Sequence, residues 1–273
     1  MKMRENKTKN KLRQGERVYG SLVSFYAPGV VEVLGTTGLD FVILDGEHGG
    51  LTMPQIIDMT RAAEAFDITP MARVPNHDAD VITAFLDTGV QGVMLPHVNT
   101  EEEADKVSKA ARYYPLGNRG HFAGGRPALW GLADRFEYFK HANEQTLVMA
   151  QFEEIKALDH IDAILEVDGV DAIVLGPGDL AQSMGWPSAE KLETVIDTVI
   201  QKTVQAGKWV SDPGVKLGQD GRASKYAKQG SNIWFVTPQE IFVIPDTYQF
   251  ADKEYSDPYA GRQFSAVSYT HLT

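Results

Sequence analysis

Short apolar runs recur along the chain, and longer segments with apolar residues at helical spacing lie between them. Eight runs are rich in Val, Ile, Leu, Met and Phe, which is typical of strands that are buried on both faces. The runs are 17–25, 40–45, 69–74, 92–98, 147–153, 171–176, 207–212 and 232–237. The pattern predicts eight parallel strands, each followed by a connection long enough for a helix.

The segments between the runs carry the apolar spacing of amphipathic helices. The clearest are 52–66, 79–89, 100–114 and 188–207. Ser188 and Gly207 suit the two ends of the last one, because Ser caps a helix N-terminus and Gly ends a helix. The basic first segment, which ends at Gly15, is interpreted as a solvated helix.

Strands that alternate with helices predict an α/β fold, a single-domain (β/α)₈ TIM barrel over residues 1–255. A doubly wound open sheet is the alternative. The connection from 98 to 147 is unusually long and contains a Gly-rich insert of the kind that is often functional. Residues 256–273 form an irregular tail whose end, VSYTHLT, is interpreted as non-native sequence, so His271 receives no role.

Composition excludes several classes of protein. The 273 residues include no Cys, which rules out disulfides, thiolate zinc sites and cysteine nucleophiles. A net charge of −11 disfavours nucleic-acid binding through a broad basic face. No apolar run approaches the roughly 20 residues of a membrane span, and no apolar region follows the basic start. We expect a cytoplasmic protein with neither nucleic acid nor membrane as a partner.

Polar groups collect where the predicted strands end, which is the catalytic rim of a TIM barrel. They are Asp45, Glu47 and His48 after strand two, Arg73 in strand three, Gln151 and Glu153 in strand five, and Gly176, Pro177, Gly178 and Asp179 after strand six. The N-terminal ends of the strands offer no comparable set. The sequence therefore places the chemistry on one rim.

Glu153 and Asp179 end consecutive strands, so their carboxylates are expected to be neighbours. Two such carboxylates repel unless a cation or proton lies between them, and oxygen ligands favour Mg²⁺, Mn²⁺ or Co²⁺. The alternative is two helix N-caps. The stretch GPGDL, at 176–180, suits a backbone cradle for a carboxylate or phosphate, although a plain turn would use the same residues.

His48 is the candidate base, and Asp45 could orient it or accept its proton. The alternative is a histidine that only caps a turn. Arg73 ends an apolar strand and must face an anion, because unpaired burial of a guanidinium is very costly. A structural bridge from Arg73 to Asp45 or Asp87 is the other interpretation.

Two further patterns limit the chemistry. His77, His97 and His121 lie near the rim but lack metal-site spacing, so they are interpreted as substrate-lining or structural residues. No lysine lies where a barrel strand would project it into the site, which disfavours a Schiff-base aldolase. No GxGxxG motif follows a strand, which disfavours a dinucleotide site.

Several stretches together resemble the HpcH/HpaI aldolase/citrate lyase family of metal-dependent pyruvate aldolases, typified by 2,4-dihydroxyhept-2-ene-1,7-dioate aldolase. The stretches are DFVILDGEHG, MARVP, FLDTGVQGVMLPHV, YYPLGNRG, ANEQTLVMAQFEE, VDGVDAIVLGPGDLAQSMG and QAGK, across residues 12 to 210. The resemblance implies a barrel that is commonly hexameric. It also implies reversible cleavage of a 4-hydroxy-2-oxoacid to pyruvate and an aldehyde through a metal-stabilised enolate.

The resemblance also assigns roles to residues. Glu153 and Asp179 would bind the divalent cation, and His48, Asp45 and Arg73 would be catalytic. The substrate-binding set would be Gln151, Gly176, Pro177, Gly178 and Asp87. The chain departs from the family at Gly178, where Ala is usual, and at Glu154, where Thr or Ser is usual.

Two other functions remain open at this point. A CoA-thioester lyase related to the citrate lyase β subunit would keep the barrel and the metal but would want a basic groove for the CoA phosphates. A non-catalytic metabolite-binding protein on the same scaffold would need a broken set of site residues, whereas all the expected groups are present.

Overall fold

A computed structural model describes residues 2–212 and 222–236 of the chain. Eight parallel strands lie in the order β7-β6-β5-β4-β3-β2-β1-β8. The strands are β1 Val18–Val23, β2 Phe41–Asp45, β3 Thr69–Arg73, β4 Gly92–Leu95, β5 Leu147–Phe152, β6 Ala172–Leu175, β7 Trp209–Val210 and β8 Ile233–Phe235. All eight predicted strands are therefore confirmed, with ends that differ by a few residues.

The two outer strands of this order meet, so the sheet closes on itself. Ser211 forms a parallel bridge with Ile233, and the Asp212 amide donates to the Ile233 carbonyl at 2.8 Å. The (β/α)₈ barrel is confirmed, and the open-sheet alternative is wrong. The predicted domain end at 255 and the tail 256–273, with His271, lie outside the described residues.

Helices cover the outside of the barrel. They are α1 Lys7–Arg13, α2 Pro28–Thr36, α3 Met53–Ala65, α4 Ala79–Asp87, α5 Glu101–Ala110, α6 Arg135–Gln145, α7 Ile161–Glu166, α8 Pro177–Ser183, α9 Ala189–Gln205 and α10 Arg222–Gln229. Short 3₁₀ helices occupy Arg126–Gly131 and Ile155–His160. The predicted ends of α9 are confirmed, because Ser188 caps its N-terminus and Gly207 follows with φ of +72°.

Strand residues alternate between two apolar layers. Phe41 and Ile43 pack inside the barrel, whereas Val42 and Leu44 pack between the sheet and the helices. Every residue of β2 is buried, as parallel strands under helices require. Both layers are filled by apolar side chains, so the polar groups that carry chemistry are left to the ends of the strands.

The first helix is not solvated as its basic sequence suggested. Thr8, Lys9 and Leu12 of α1 are buried, and Leu12 packs among the inward-facing side chains at the N-terminal end of the barrel. The Lys9 ammonium donates to the Thr146 carbonyl at 2.6 Å and lies 3.0 Å from Asp171. The helix therefore closes the floor of the barrel, and the N-terminal end does carry a cluster of charged groups.

None of the helices within 2–212 and 222–236 is both long and apolar enough to cross a lipid bilayer. The expected cytoplasmic location stays a prediction.

Candidate active site

The register between β2 and β3 places Asp45 directly beside Arg73. Arg73 donates from Nε to Asp45 Oδ1 at 2.8 Å and from Nη2 to Oδ2 at 2.6 Å, and both side chains are buried. Burial opposes the charge on Asp45, but the hydrogen bonds and charge of Arg73 and two backbone amides outweigh it and hold the carboxyl pKa below its usual value. The structural bridge that the sequence left open is thus formed at the rim itself.

Asp45 also shapes the loop that follows β2. Its Oδ1 accepts hydrogen bonds from the backbone amides of Glu47 and His48, each at 3.1 Å. A Cβ on Gly49 would lie 2.4 Å from the Asp45 carbonyl oxygen and 2.6 Å from that of Ser24, so only glycine fits there. The glycines around these acids allow the loop to fold tightly onto its own strand end.

The predicted pairing of Asp45 with the His48 imidazole is replaced by another contact. Asp45 reaches His48 through the backbone amide, while the exposed imidazole has its Nε2 3.8 Å from Glu47 Oε2. Glu47 Oε2 also lies 3.2 Å from Arg73 Nη1. Glu47 is therefore the carboxylate nearest the candidate base, and sequence reasoning gave it no role.

Glu153 is buried at the end of β5, and both of its oxygens have donors. The His97 amide donates to Oε1 at 2.8 Å, and Gln151 Nε2 donates to Oε2. Burial raises the pKa of the Glu153 carboxyl above its usual value, and the charges of Glu47 and Asp179 add to the rise, whereas His97 opposes it. The charge of Asp179 thus acts on Glu153, as expected for carboxylates that follow consecutive strands.

The GPGD stretch begins α8 and lies against Glu153. Gly176 precedes the helix, and Asp179 lies in its first turn without capping it. A Cβ on Gly176 would lie 2.8 Å from Glu153 Cβ and 3.0 Å from Gln151 Nε2. Interpreting Asp179 and Glu153 as N-caps is wrong, because the caps of the two helices are Gly176 and Glu154.

The residues present fit a hard divalent cation. Glu153 and Asp179 supply carboxylates, and Gln151 Oε1 and Glu47 Oε2 are buried oxygens without a hydrogen-bond partner. Across 2–212 and 222–236, no group of three or more His, Cys, Asp or Glu side chains is arranged to hold a metal by itself. A cation bound by two carboxylates keeps open positions for water or substrate, as a catalytic site requires.

Asp87 does not join these residues within the chain. It is the last residue of α4, which runs back toward the N-terminal end of the barrel, and it pairs with Arg119 at 2.7 Å. The expectation that Asp87 contributes to the same rim is therefore wrong for one protomer.

The three other histidines near the rim have different surroundings. His77 Nε2 donates to the Pro96 carbonyl at 2.5 Å, which is a structural role. The His121 ring packs against Phe139, with centroids 5.0 Å apart, inside the long insert. Only His97 contacts site residues, with Nδ1 3.2 Å from Glu153 Oε1 and Nε2 3.7 Å from Glu47 Oε1. Its spacing in the sequence carried no signal for this position.

The family model for HpcH/HpaI aldolase/citrate lyase matches residues 22–233. The chain belongs to this family. A 4-hydroxy-2-oxovalerate aldolase of Novosphingobium aromaticivorans is 37% identical over 80% of this chain and 82% of its own length. A hydroxypyruvate/pyruvate aldolase of Delftia acidovorans is 34% identical over 84% and 85%. A family member from Burkholderia cenocepacia has a crystal structure that superposes with a TM-score of 0.78 at 28% identity, covering 87% of this chain and 95% of that one.

Proposed function

We propose that this protein is a class II aldolase that reversibly cleaves a 4-hydroxy-2-oxoacid to pyruvate, or a related 2-oxoacid, and an aldehyde. The observation that carries the proposal is the buried Glu153 carboxylate, which is subject to the charge of Asp179 and lies beside Gln151, whose Oε1 has no hydrogen-bond partner. Arg73, at the end of β3, is fixed at the same rim by Asp45. The relatives named as pyruvate aldolases support it, since they align over most of this chain. The protein is thus a carbon–carbon lyase.

The residues of the site have separate roles in the proposed reaction. Glu153 and Asp179 would hold the divalent cation, which when bound would polarise the 2-oxo group and stabilise the negative charge that develops there. Arg73 is fixed by Asp45 with one Nη atom still directed toward Glu47, so it adds positive charge near the 2-oxo oxygen. The buried pair needs no reorganisation during the reaction, because both hydrogen bonds already exist.

Proton transfer falls to the loop after β2. His48 is exposed at the mouth of the site with Glu47 3.8 Å from its Nε2, so it accepts the 4-hydroxyl proton directly or through water. Gly176, Pro177 and Gly178 form the backbone cradle for the substrate carboxylate, and Gly176 brings this cradle so close to Glu153 and Gln151 that a Cβ would clash with them. Mg²⁺, Mn²⁺ and Co²⁺ all suit this oxygen-rich site.

Enolate formation is tested without knowing the aldehyde. The full-length protein is incubated with pyruvate in D₂O with Mg²⁺, Mn²⁺ or Co²⁺, the reaction is stopped with EDTA, and methyl-proton loss is followed by NMR. We expect exchange that requires the added ion and is lost in Glu153→Gln and Asp179→Asn, because each removes one of the two carboxylate ligands. Glu102→Gln, an exposed change on α5, should leave it unaltered.

No exchange with any divalent ion, in protein shown by circular dichroism to be folded, would sink the aldolase proposal. The favoured function would then be the alternative one, a CoA-thioester lyase, because such lyases belong to the same family. The rim gives that alternative little support, since Glu47, Glu153 and Asp179 place negative charge at the site and CoA carries phosphates.

A homo-oligomer is part of the proposal. The long insert exposes large apolar side chains that monomeric surfaces rarely cluster. They are Tyr114, Leu116, Phe122, Trp130, Leu132 and Phe136. A second copy of this chain is the occupant that the resemblance to a commonly hexameric family supports.

A further inference from the structure

The turn that follows β4 is built to hold one residue in an unusual backbone conformation. His97 has φ of 53°, in the left-handed region that L side chains rarely adopt. Two side chains hold the turn from either side: His77 donates to the Pro96 carbonyl at 2.5 Å, and Asn99 Nδ2 donates to the His97 carbonyl at 2.8 Å. Non-glycine residues held in this way concentrate at functional sites.

The turn directs two nitrogens of His97 at a single oxygen. The backbone amide lies 2.8 Å from Glu153 Oε1, and the imidazole Nδ1 lies 3.2 Å from the same atom. Gln151 Nε2 donates to the other oxygen. Each oxygen of Glu153 thus has its own donor, and the plane of the carboxylate is fixed.

The imidazole of His97 also lies close to two other carboxylates. Its Nε2 lies 3.7 Å from Glu47 Oε1, and its Nδ1 lies 3.8 Å from Glu154 Oε2. Glu154 is held away from the site by Asn99 at 2.6 Å and by Lys156 at 3.1 Å. Because the imidazole stands among three acids, its removal would let them repel one another and shift.

We propose that His97 is a positioning residue that fixes the Glu153 carboxylate for cation binding, an inference that rests on the metal site proposed above. The Nδ1 contact supplements the backbone amide, and together they leave Glu153 oriented before any cation arrives. Residues that orient a metal ligand contribute on the order of 10- to 100-fold to metal affinity.

Three replacements of His97 separate the contributions of its backbone amide, its Nδ1 and its Nε2. His97→Asn places an amide nitrogen close to the position of Nδ1, and Asn tolerates the left-handed backbone. His97→Gln extends its amide toward the position of Nε2 and leaves Nδ1 unreplaced. His97→Gly keeps the backbone amide and relaxes the conformation, so it removes only the imidazole. His160→Asn is the matched control, because His160 is exposed and its side chain makes no capping hydrogen bond.

The measurement is Mn²⁺ binding to the EDTA-treated full-length protein by titration calorimetry, with melting temperatures recorded without metal. We expect His97→Gly and His97→Gln to weaken Mn²⁺ binding by on the order of 10- to 100-fold, while His97→Asn stays within about threefold of the wild type. The His160→Asn control should bind as the wild type does. Weak binding by His97→Gly beside near-wild-type binding by His97→Asn is a result that backbone strain would not produce, because both residues accept the left-handed conformation.

Unchanged Mn²⁺ affinity in His97→Gly would overturn the inference, and so would an Asn variant as weak as the Gly variant. Because the titration needs no turnover, its result is separate from that of the exchange assay. A wild type that binds Mn²⁺ in a His97-dependent manner but exchanges no pyruvate protons would end the aldolase proposal and leave this one standing.

Discussion

At the scale of single residues, the candidate site depends on a glycine whose missing side chain allows close packing. Gly176 and Gly178 flank Pro177 at the start of α8, yet their surroundings are opposite. A Cβ on Gly176 would crowd Glu153 and Gln151, whereas one on Gly178 would meet nothing within 4 Å. The first glycine is needed for close approach to the candidate metal ligands, and the second is replaceable.

Gly176→Ala should therefore impair the site, because its Cβ would force Glu153 or Gln151 to move. We expect the rate of metal-dependent pyruvate proton exchange to fall by about 10-fold or more, on the scale set by disturbed metal-ligand contacts. The matched control is Gly178→Ala, which keeps the backbone of the proposed carboxylate cradle, adds a Cβ that meets nothing within 4 Å, and should retain the wild-type rate. Equal rates for both variants would show that the space beside Gly176 has no part in the chemistry.

The sequence identified the residues whose position follows from a strand end. Asp45, Arg73, Gln151 and Glu153 close the buried strands β2, β3 and β5, and a parallel barrel brings such ends together. The sequence placed His97 near the rim but did not predict its contacts with Glu153, because they depend on a positive φ and on two flanking hydrogen bonds that leave no periodic pattern. Hydrophobic periodicity predicts where a strand ends, but not how the next turn directs a side chain.

At the scale of elements, α1 stabilises the barrel through a buried charge. The Lys9 side chain is only 4% exposed, and its ammonium contacts Thr146 and Asp171, while Arg112 binds the same Asp171 carboxylate at 2.9 Å. Burial lowers the pKa of Lys9 to about 8, and the negative charge of Asp171 offsets only part of that effect. The helix is therefore held by a lysine that loses its proton more easily in the folded state.

Lys9 should make stability depend on pH in a definite direction. Between about pH 8 and the ordinary lysine value near 10.4, the unfolded chain keeps a proton that folded Lys9 has released. The free energy of unfolding should then rise with pH, relative to Lys9→Met, by up to ~1.4 kcal/mol per pH unit. Urea denaturation of both proteins at several values from pH 7.5 to 10 measures the difference.

Lys109→Met is the control for this titration, since Lys109 forms only an exposed pair with Asp105. Its difference from the wild type should stay flat across the same range. A Lys9→Met difference that is also flat, or that shrinks as pH rises, would mean that the buried ammonium is not penalised.

The first helix, α1, shows that a basic composition can hide a buried face. Its lysines and polar residues indicate a solvated surface, but Leu12 and the stem of Lys9 give it a narrow buried face. A seven-residue helix is too short for a periodic pattern to show that face clearly. The longer helices α3, α4, α5 and α9 were predicted correctly for the opposite reason, because each has enough turns to repeat its apolar stripe.

At the scale of the whole molecule, the long insert after β4 packs on its own protomer with one side and exposes the other. Tyr113 stacks on Phe139 with centroids 4.2 Å apart, and Arg119 lies 4.6 Å over the Tyr113 ring. Leu132, at 82% exposed, and its apolar neighbours point outward. Such a surface is expected to be covered by another subunit.

Light scattering after size-exclusion chromatography should therefore give a mass that is a multiple of the 30.1 kDa chain. Leu132→Asp should lower that mass, because it puts a charge into the proposed contact. Val33→Asp is the control, an exposed apolar position on α2 outside the insert. A wild type that elutes as a monomer, or two variants that behave alike, would contradict the proposed interface.

The docking of α1 has a consequence for synthesis. Lys9 contacts residues that lie 137 and 162 positions later in the chain. At about 5–20 residues per second, the ribosome supplies those partners roughly 7 to 32 seconds after the helix has been made. Until then Leu12 has no interior to enter, and chaperones have access to it. The segment translated first is thus among the last to reach its place, and folding of the barrel floor must wait for β5 and β6 to emerge.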